Sequence, residues 1–87
     1  MSDHYQHQQA VAAARAELQE YRNRLAAAAE KAEEVLGMIN NAVGEQHLVE
    51  SARNAFEMVA ASQQRAHEAL QAATQADFEL QRYQGGF

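Results

Sequence analysis

The chain predicts an all-α fold: two long helices folded back on each other as an antiparallel, coiled-coil-like hairpin. Three observations carry that prediction. The 87 residues contain no proline, the residue most disruptive to a helix interior. Apolar residues recur at alternating steps of three and four on both sides of the midpoint, which is the period of a coiled-coil seam. Between these runs, the stretch from Gly37 to Gly44 holds two of the four glycines and the adjacent pair Asn40-Asn41, residues that tolerate left-handed backbone and favour a reversal. The expected layout is one domain over residues 1–87, with a helix over about 3–37, a bend at 38–44, a second helix over about 45–83 and a short tail at 84–87.

The first helix can be capped by Ser2 or Asp3, whose side-chain oxygens accept from orphan backbone N–H groups. Its seam reads Val11, Ala14, Leu18, Tyr21, Leu25, Ala28, Ala32, Val35 and Ile39. With Val11 at position a, the e positions are Arg15, Arg22, Ala29 and Leu36, expected to flank the seam. Outer positions carry Gln19, Glu20, Asn23, Glu30, Glu33 and Glu34. Glu20 stands four residues before Arg24, the favourable order for an intrahelical pair.

Gly37 is the expected helix terminator, in the left-handed position that often closes a helix. Met38, Ile39, Ala42 and Val43 make the bend unusually apolar. They either plug the closed end of the hairpin or form an exposed contact tip, core filling being the commoner fate of such residues.

The second helix has a seam of Val49, Ala52, Phe56, Val59, Gln63, Ala66, Leu70, Ala73, Asp77 and Leu80. Gln63 and Asp77 are polar members, and a polar seam residue gives up stability to fix register. The neighbouring row of Leu48, Ala55, Ser62, Ala69 and Ala76 is also small or apolar, and Met58 and Phe78 project from further positions. This apolar face is wider than one partner helix covers, so the hairpin is expected to assemble into a four-helix bundle. Leu48, Ala55, Met58, Ala69, Ala76 and Phe78 are the candidate partner interface. Folding at the midpoint would place Leu25 near Val59 or Ala60, and His7 near Phe78.

Composition narrows the function. Alanine supplies much of the 47% hydrophobic content and buries little area, so the core is thin and association is expected. A net charge of −5, with seven basic residues interleaved among twelve acids, lacks the clustered cations that bind nucleic acid or anionic membranes. With no cysteine, thiolate chemistry and disulfides are excluded. No run approaches the ~18 apolar residues of a membrane span, and the polar start resembles no secretory signal. The expectation is a cytoplasmic protein, or one exported without a cleaved signal.

Catalytic and metal chemistry finds no foothold. His4 and His7 share a helix face, but two ligands at a helix end are too few for a metal site. His47 and Glu50 stand in the reverse of the Glu-x-x-His order used by di-iron bundles, and Gln64 rather than glutamate precedes His67 by three. A two-helix hairpin offers no cleft for catalysis. No catalytic, cofactor or metal residue is therefore expected.

Two equal helices, a central bend and a length just under a hundred residues resemble the Trp-x-Gly superfamily, the small helical hairpins exported by bacterial type VII secretion systems. At that family's motif this chain has Ala42-Val43-Gly44, matching the glycine and not the tryptophan. The family's export signal is a tyrosine followed four residues later by an acid; after Tyr83 the corresponding residue is Phe87. The resemblance implies a homo- or heterodimeric four-helix bundle. With the signal departed from, it implies a small partner or chaperone-like subunit of a secreted effector, or a substrate of the system. The alternatives are a cytoplasmic structural coiled-coil scaffold and a metal-storage bundle.

Overall fold

A computed structural model describes residues 2–43 and 50–85. It contains two helices, α1 (Ser2–Val43) and α2 (Glu50–Gly85), and no strand among the described residues. They pack antiparallel into a rod of 68 × 15 × 14 Å. The 42 residues of α1 account for its length, at about 1.5 Å of rise per residue. The all-α hairpin is therefore the fold.

The first helix does not stop at Gly37. It continues through Gly37, Asn40 and Asn41 to Val43, so the expected bend at 38–44 is helical up to Val43, and Gly44 lies outside the described residues. Gly37 has ordinary helical backbone and nothing within 4 Å of where a Cβ would sit. Glycine inside a helix costs about 1 kcal/mol relative to alanine. Here the seam offsets it, because Ile39 and Val43 extend the three-four spacing and both are half-buried, whereas Met38 and Ala42 face outward. The apolar residues expected in the bend thus divide between the seam and the surface. At the other end α2 runs through Gln84 to Gly85, two residues into the expected tail. The α1 helix begins at Ser2, and the side chains of the two proposed caps fall outside the described residues, as does Val49.

Moving the reversal toward the C-terminus also moves the register. Gln63 reaches Ala29 and Glu33 across the hairpin, Arg15 reaches Asp77 and Gln84, and Phe56 borders Leu36, Gly37 and Asn40. Leu25 accordingly lies opposite the Leu70 region rather than Val59 or Ala60, and His7 lies beyond the end of α2 rather than beside Phe78.

The residues turned toward the partner helix reveal a second correction. On α2 they are Ala52, Phe56, Val59, Gln63, Ala66, Leu70, Ala73, Asp77 and Leu80, as read from the sequence, with Gln84 added from the expected tail. On α1 they are Val11, Arg15, Leu18, Arg22, Leu25, Ala29, Ala32, Leu36, Ile39 and Val43. The supposedly flanking row of Arg15, Arg22, Ala29 and Leu36 turns in, while Ala14, Tyr21 and Ala28 turn out. Tyr21 is 51% exposed. Relative to the expected seam, α1 is rotated by about 50°, half the angular step between consecutive helical residues. The rotation places Leu36 and Val43 inside and gives Asp77 its cations.

Among the described residues only Ala29 and Ala73 are buried, and no large side chain is fully enclosed. Two helices cover one stripe of each other and no more.

Candidate partner-binding surface

Polar ties cross the seam at two levels. At the open end, away from the reversal, Arg15 forms a two-pronged bond with Asp77: Nε donates to Oδ1 at 2.9 Å and Nη2 to Oδ2 at 3.3 Å. Its Nη1 donates to Gln84 Oε1 at 2.8 Å. Arg22 approaches the same carboxylate, Nη1 to Oδ2 at 3.7 Å, and donates to Gln19 Oε1 at 3.0 Å. Its Nε is enclosed without a hydrogen-bond partner. The fork geometry makes this a charge-assisted, directional contact. The hydrogen bond from Arg15 holds the Asp77 carboxyl below the usual carboxylate range, outweighing the opposing effect of burial, and the positive charges of Arg15 and Arg22 add to it. The same bond raises Arg15 above its ordinary value.

Nearer the middle, Gln63 Nε2 donates to Glu33 Oε2 at 2.7 Å and to the Ala29 carbonyl at 3.4 Å. Gln63 and Asp77 are the two polar seam residues singled out from the sequence, and each is tied to α1. Sequence reasoning missed Arg15, Arg22 and Glu33 as their partners. The available signal was an acid in the α2 seam, which calls for cations facing it, and two arginines one heptad apart supply them.

The outer faces are held by short-range pairs. Arg24 meets Glu20 at 3.4 Å, the pair expected from spacing, and Lys31 meets Glu34 at 3.2 Å and Arg82 meets Glu79 at 3.1 Å. All are well exposed, and such pairs contribute only about 0.3–0.5 kcal/mol each.

The two lateral faces of the hairpin differ. Gln63, His67, Ala26, Glu30 and Glu33 share one side around a shallow open groove, where Gln19, Asn40, Arg53, Thr74 and Gln81 continue the polar character. On the opposite side run two uncharged rows, Ala14, Tyr21, Ala28, Val35 and Ala42 from α1 and Ala55, Ser62, Ala69, Ala76 and Tyr83 from α2. All ten are exposed or half-buried. Most of the expected interface belongs to this strip: Ala55 and Ala76 are exposed, Ala69 is half-buried, and Met58 stands at its edge with 70% of its surface open. Phe78, 55% exposed, lies toward the polar side and does not join it. Leu48 falls outside the described residues. Of the expected seam between the two helices, Val11, Leu18, Leu25, Val35, Ile39, Phe56, Val59, Leu70 and Leu80 are half-buried, Val35 at the border between seam and strip, and Tyr21 belongs to the strip.

Among the described residues no three His, Asp or Glu side chains gather as a metal site. His47 lies outside them. No described helix is long and apolar enough to cross a membrane. Comparison with protein families, with curated proteins and with solved structures finds no match to this chain.

Proposed function

We propose that this chain is a non-enzymatic protein–protein interaction module, a helical hairpin that completes its core by pairing with a second helical hairpin. One observation carries the reading: among the described residues only two alanines are buried, and a continuous uncharged strip runs along one side, with Tyr21 at 51% and Tyr83 at 45% exposure. Large exposed apolar surfaces of this kind mark association sites, and two helices alone supply too little burial for a robust domain.

Within that class, the layout shared with the Trp-x-Gly hairpins points to a place in bacterial type VII secretion, as a small partner or chaperone-like subunit or a substrate. Sedimentation of the purified chain, with isolation of its complexes from the native host, tests both levels. A dimer or a complex with a helical partner supports the module, and a secretion effector in that complex supports the finer assignment. A strict monomer with no helical partner overturns the proposal.

A further inference from the structure

We infer that the hairpin has a second register, reached when α2 moves by one heptad toward the start of α1. The step lies within the seam between the two helices and needs no partner. The cross-hairpin contacts fix which levels meet in the observed register. Asp77 touches both Arg15 and Arg22, so it stands level with Leu18. Gln63 touches Ala29 and Glu33 and stands near Ala32. Phe56 borders Leu36 and Asn40 and stands near Ile39. By the same spacing Ala29 is level with Ala66, and Val11 with Gln84. Residues 2–10 of α1 therefore extend past the described part of α2 by about 13 Å, whereas one heptad is about 10 Å. The overhang has room for one step and not for two.

The polar layers survive the step. Asp77 comes level with Val11, between Arg15 and Gln8, a half-buried member of the same row. Gln63 comes near Leu25, and Arg22 takes toward it the position that Arg15 holds toward Asp77. In the observed register Arg15 Nε donates to Asp77 at 2.9 Å, while Arg22 Nε is enclosed without a hydrogen-bond partner. The step brings the side-chain carbonyl of Gln63 to that unmet donor, which is costly to leave buried. The apolar layers stay in phase as well: Leu18 meets Leu70, Ala29 meets Val59, and Ala32 meets Phe56.

The closed end has a matching stop. A seven-residue change divides between the two arms, so α1 ends three or four residues earlier, at Ile39 or Asn40. Asn40 and Asn41 lie inside the last turn of α1 in the observed register; the step returns them to a helix end, where left-handed backbone suits asparagine. Against the step stand the loss of Ile39 and Val43 from the seam and of Arg22 from Asp77, which make the observed register the more populated. The opposite step lacks this support, because it carries Val11 past the end of α2 and opposes Leu18 to Gln84. A ligand lying across both helices meets their surface rows displaced by about 10 Å between the two registers, so its binding selects one of them.

The chain has no native cysteine, so paired substitutions report each register as a disulfide closing in a glutathione redox buffer. Ala29→Cys with Ala66→Cys, level in the observed register, should close fastest. Ala29→Cys with Val59→Cys, level only after the step, should close about a hundredfold more slowly, the stepped register holding about 1% of the molecules. Ala29→Cys with Ala73→Cys is displaced by the same seven residues in the opposite direction, too far to bridge without movement. It should close at least about tenfold more slowly again. Adding Gln8→Arg and Arg22→Gln gives Asp77 two arginines only in the stepped register, and should speed closure of the Ala29 and Val59 pair about tenfold. In the unsubstituted chain, relaxation dispersion should report one exchange process shared by Gln8, Arg22 and Ile39. Equal closure of the Val59 and Ala73 pairs would mean local opening and overturns the step, as does a closure rate that ignores the transfer of the arginine. Where a substituted chain fails to fold, the unsubstituted one decides: shared exchange at both ends supports the second register, and its absence overturns it.

Discussion

The two ends of this hairpin are built from the same heptad rows and held together by different physics. Near the reversal, Leu36, Ile39 and Val43 of α1 turn toward α2, which turns Ala52, Phe56 and Val59 toward them. At the open end the corresponding rows carry Arg15 and Arg22 against Asp77 and Gln84. Apolar burial is non-directional, so the closed end would tolerate a displacement along the axis that keeps its heptads in phase. The layer at Asp77 would not, because a slip by one heptad in either direction leaves the carboxylate beside only one of Arg15 and Arg22. The difference teaches a division of labour, with greasy layers supplying attraction and the charged layer setting which residue meets which. Polar seam residues act this way in coiled coils generally.

The largest effect is expected at the closed end. Phe56→Ala removes the biggest side chain turned toward α1 and should lower stability by about 2 kcal/mol, below the full range for an enclosed phenylalanine because Phe56 is half-buried. Urea denaturation followed by circular dichroism measures it. A loss below a quarter of that amount would mean that the closed end is not where apolar attraction resides.

At the opposite end, Asp77→Asn should produce a smaller loss confined to neighbouring turns, read as faster amide exchange at Leu18 and Leu80 with Leu36 and Val59 unchanged. The same layer predicts a pH response. Asp77 titrates below its ordinary value when folded, so its stabilisation is fully present above the unfolded value of about 3.9 and is lost as pH falls through the lower folded-state value. Amide protection at Leu80 should hold from neutral pH to about pH 4 and drop below it. In Asp77→Asn that acid step should vanish.

Gln63→Leu sharpens the comparison by extending the apolar character inward. It should raise stability by about 1 kcal/mol, since the lost bonds to Glu33 and Ala29 are replaced by apolar burial. It should also loosen the register, seen as doubled resonances in a heteronuclear correlation spectrum. A single set of peaks would assign register to Asp77 alone.

The smallest effect concerns the length of the closed end itself. Gly37→Ala should raise stability by about 0.5–1 kcal/mol, because the site is open and its backbone is already helical. A loss would place Gly37 in a left-handed turn and return the reversal to the midpoint.

These particulars show what could be read from the letters. The all-α hairpin was legible because no proline interrupts either arm and the three-four spacing persists. On α2 the seam rows were legible down to Gln63 and Asp77, since few large apolar residues compete for the inward position. On α1 the phase was not, because Tyr21 and a run of alanines outweigh, on hydrophobicity alone, a row containing two arginines. Those arginines turn inward only because of an acid more than fifty residues away in sequence, which no local pattern encodes. The reversal was misplaced for a related reason: Gly37 and the asparagine pair have turn propensity, and packing of Ile39 and Val43 overrides it. The uncharged strip was half visible, its α2 row being named and its α1 row assigned to the seam.

Because α2 ends near Arg15 in the observed register, the opening turns of α1, with Tyr5, Gln6 and His7 on their surface, stand clear of the second helix among the described residues. A spectroscopic label or affinity handle placed there would ride on a rigid extension of the rod, remote from both lateral faces. The molecule thereby carries its own attachment point, one that leaves the strip accessible to whatever is brought to it.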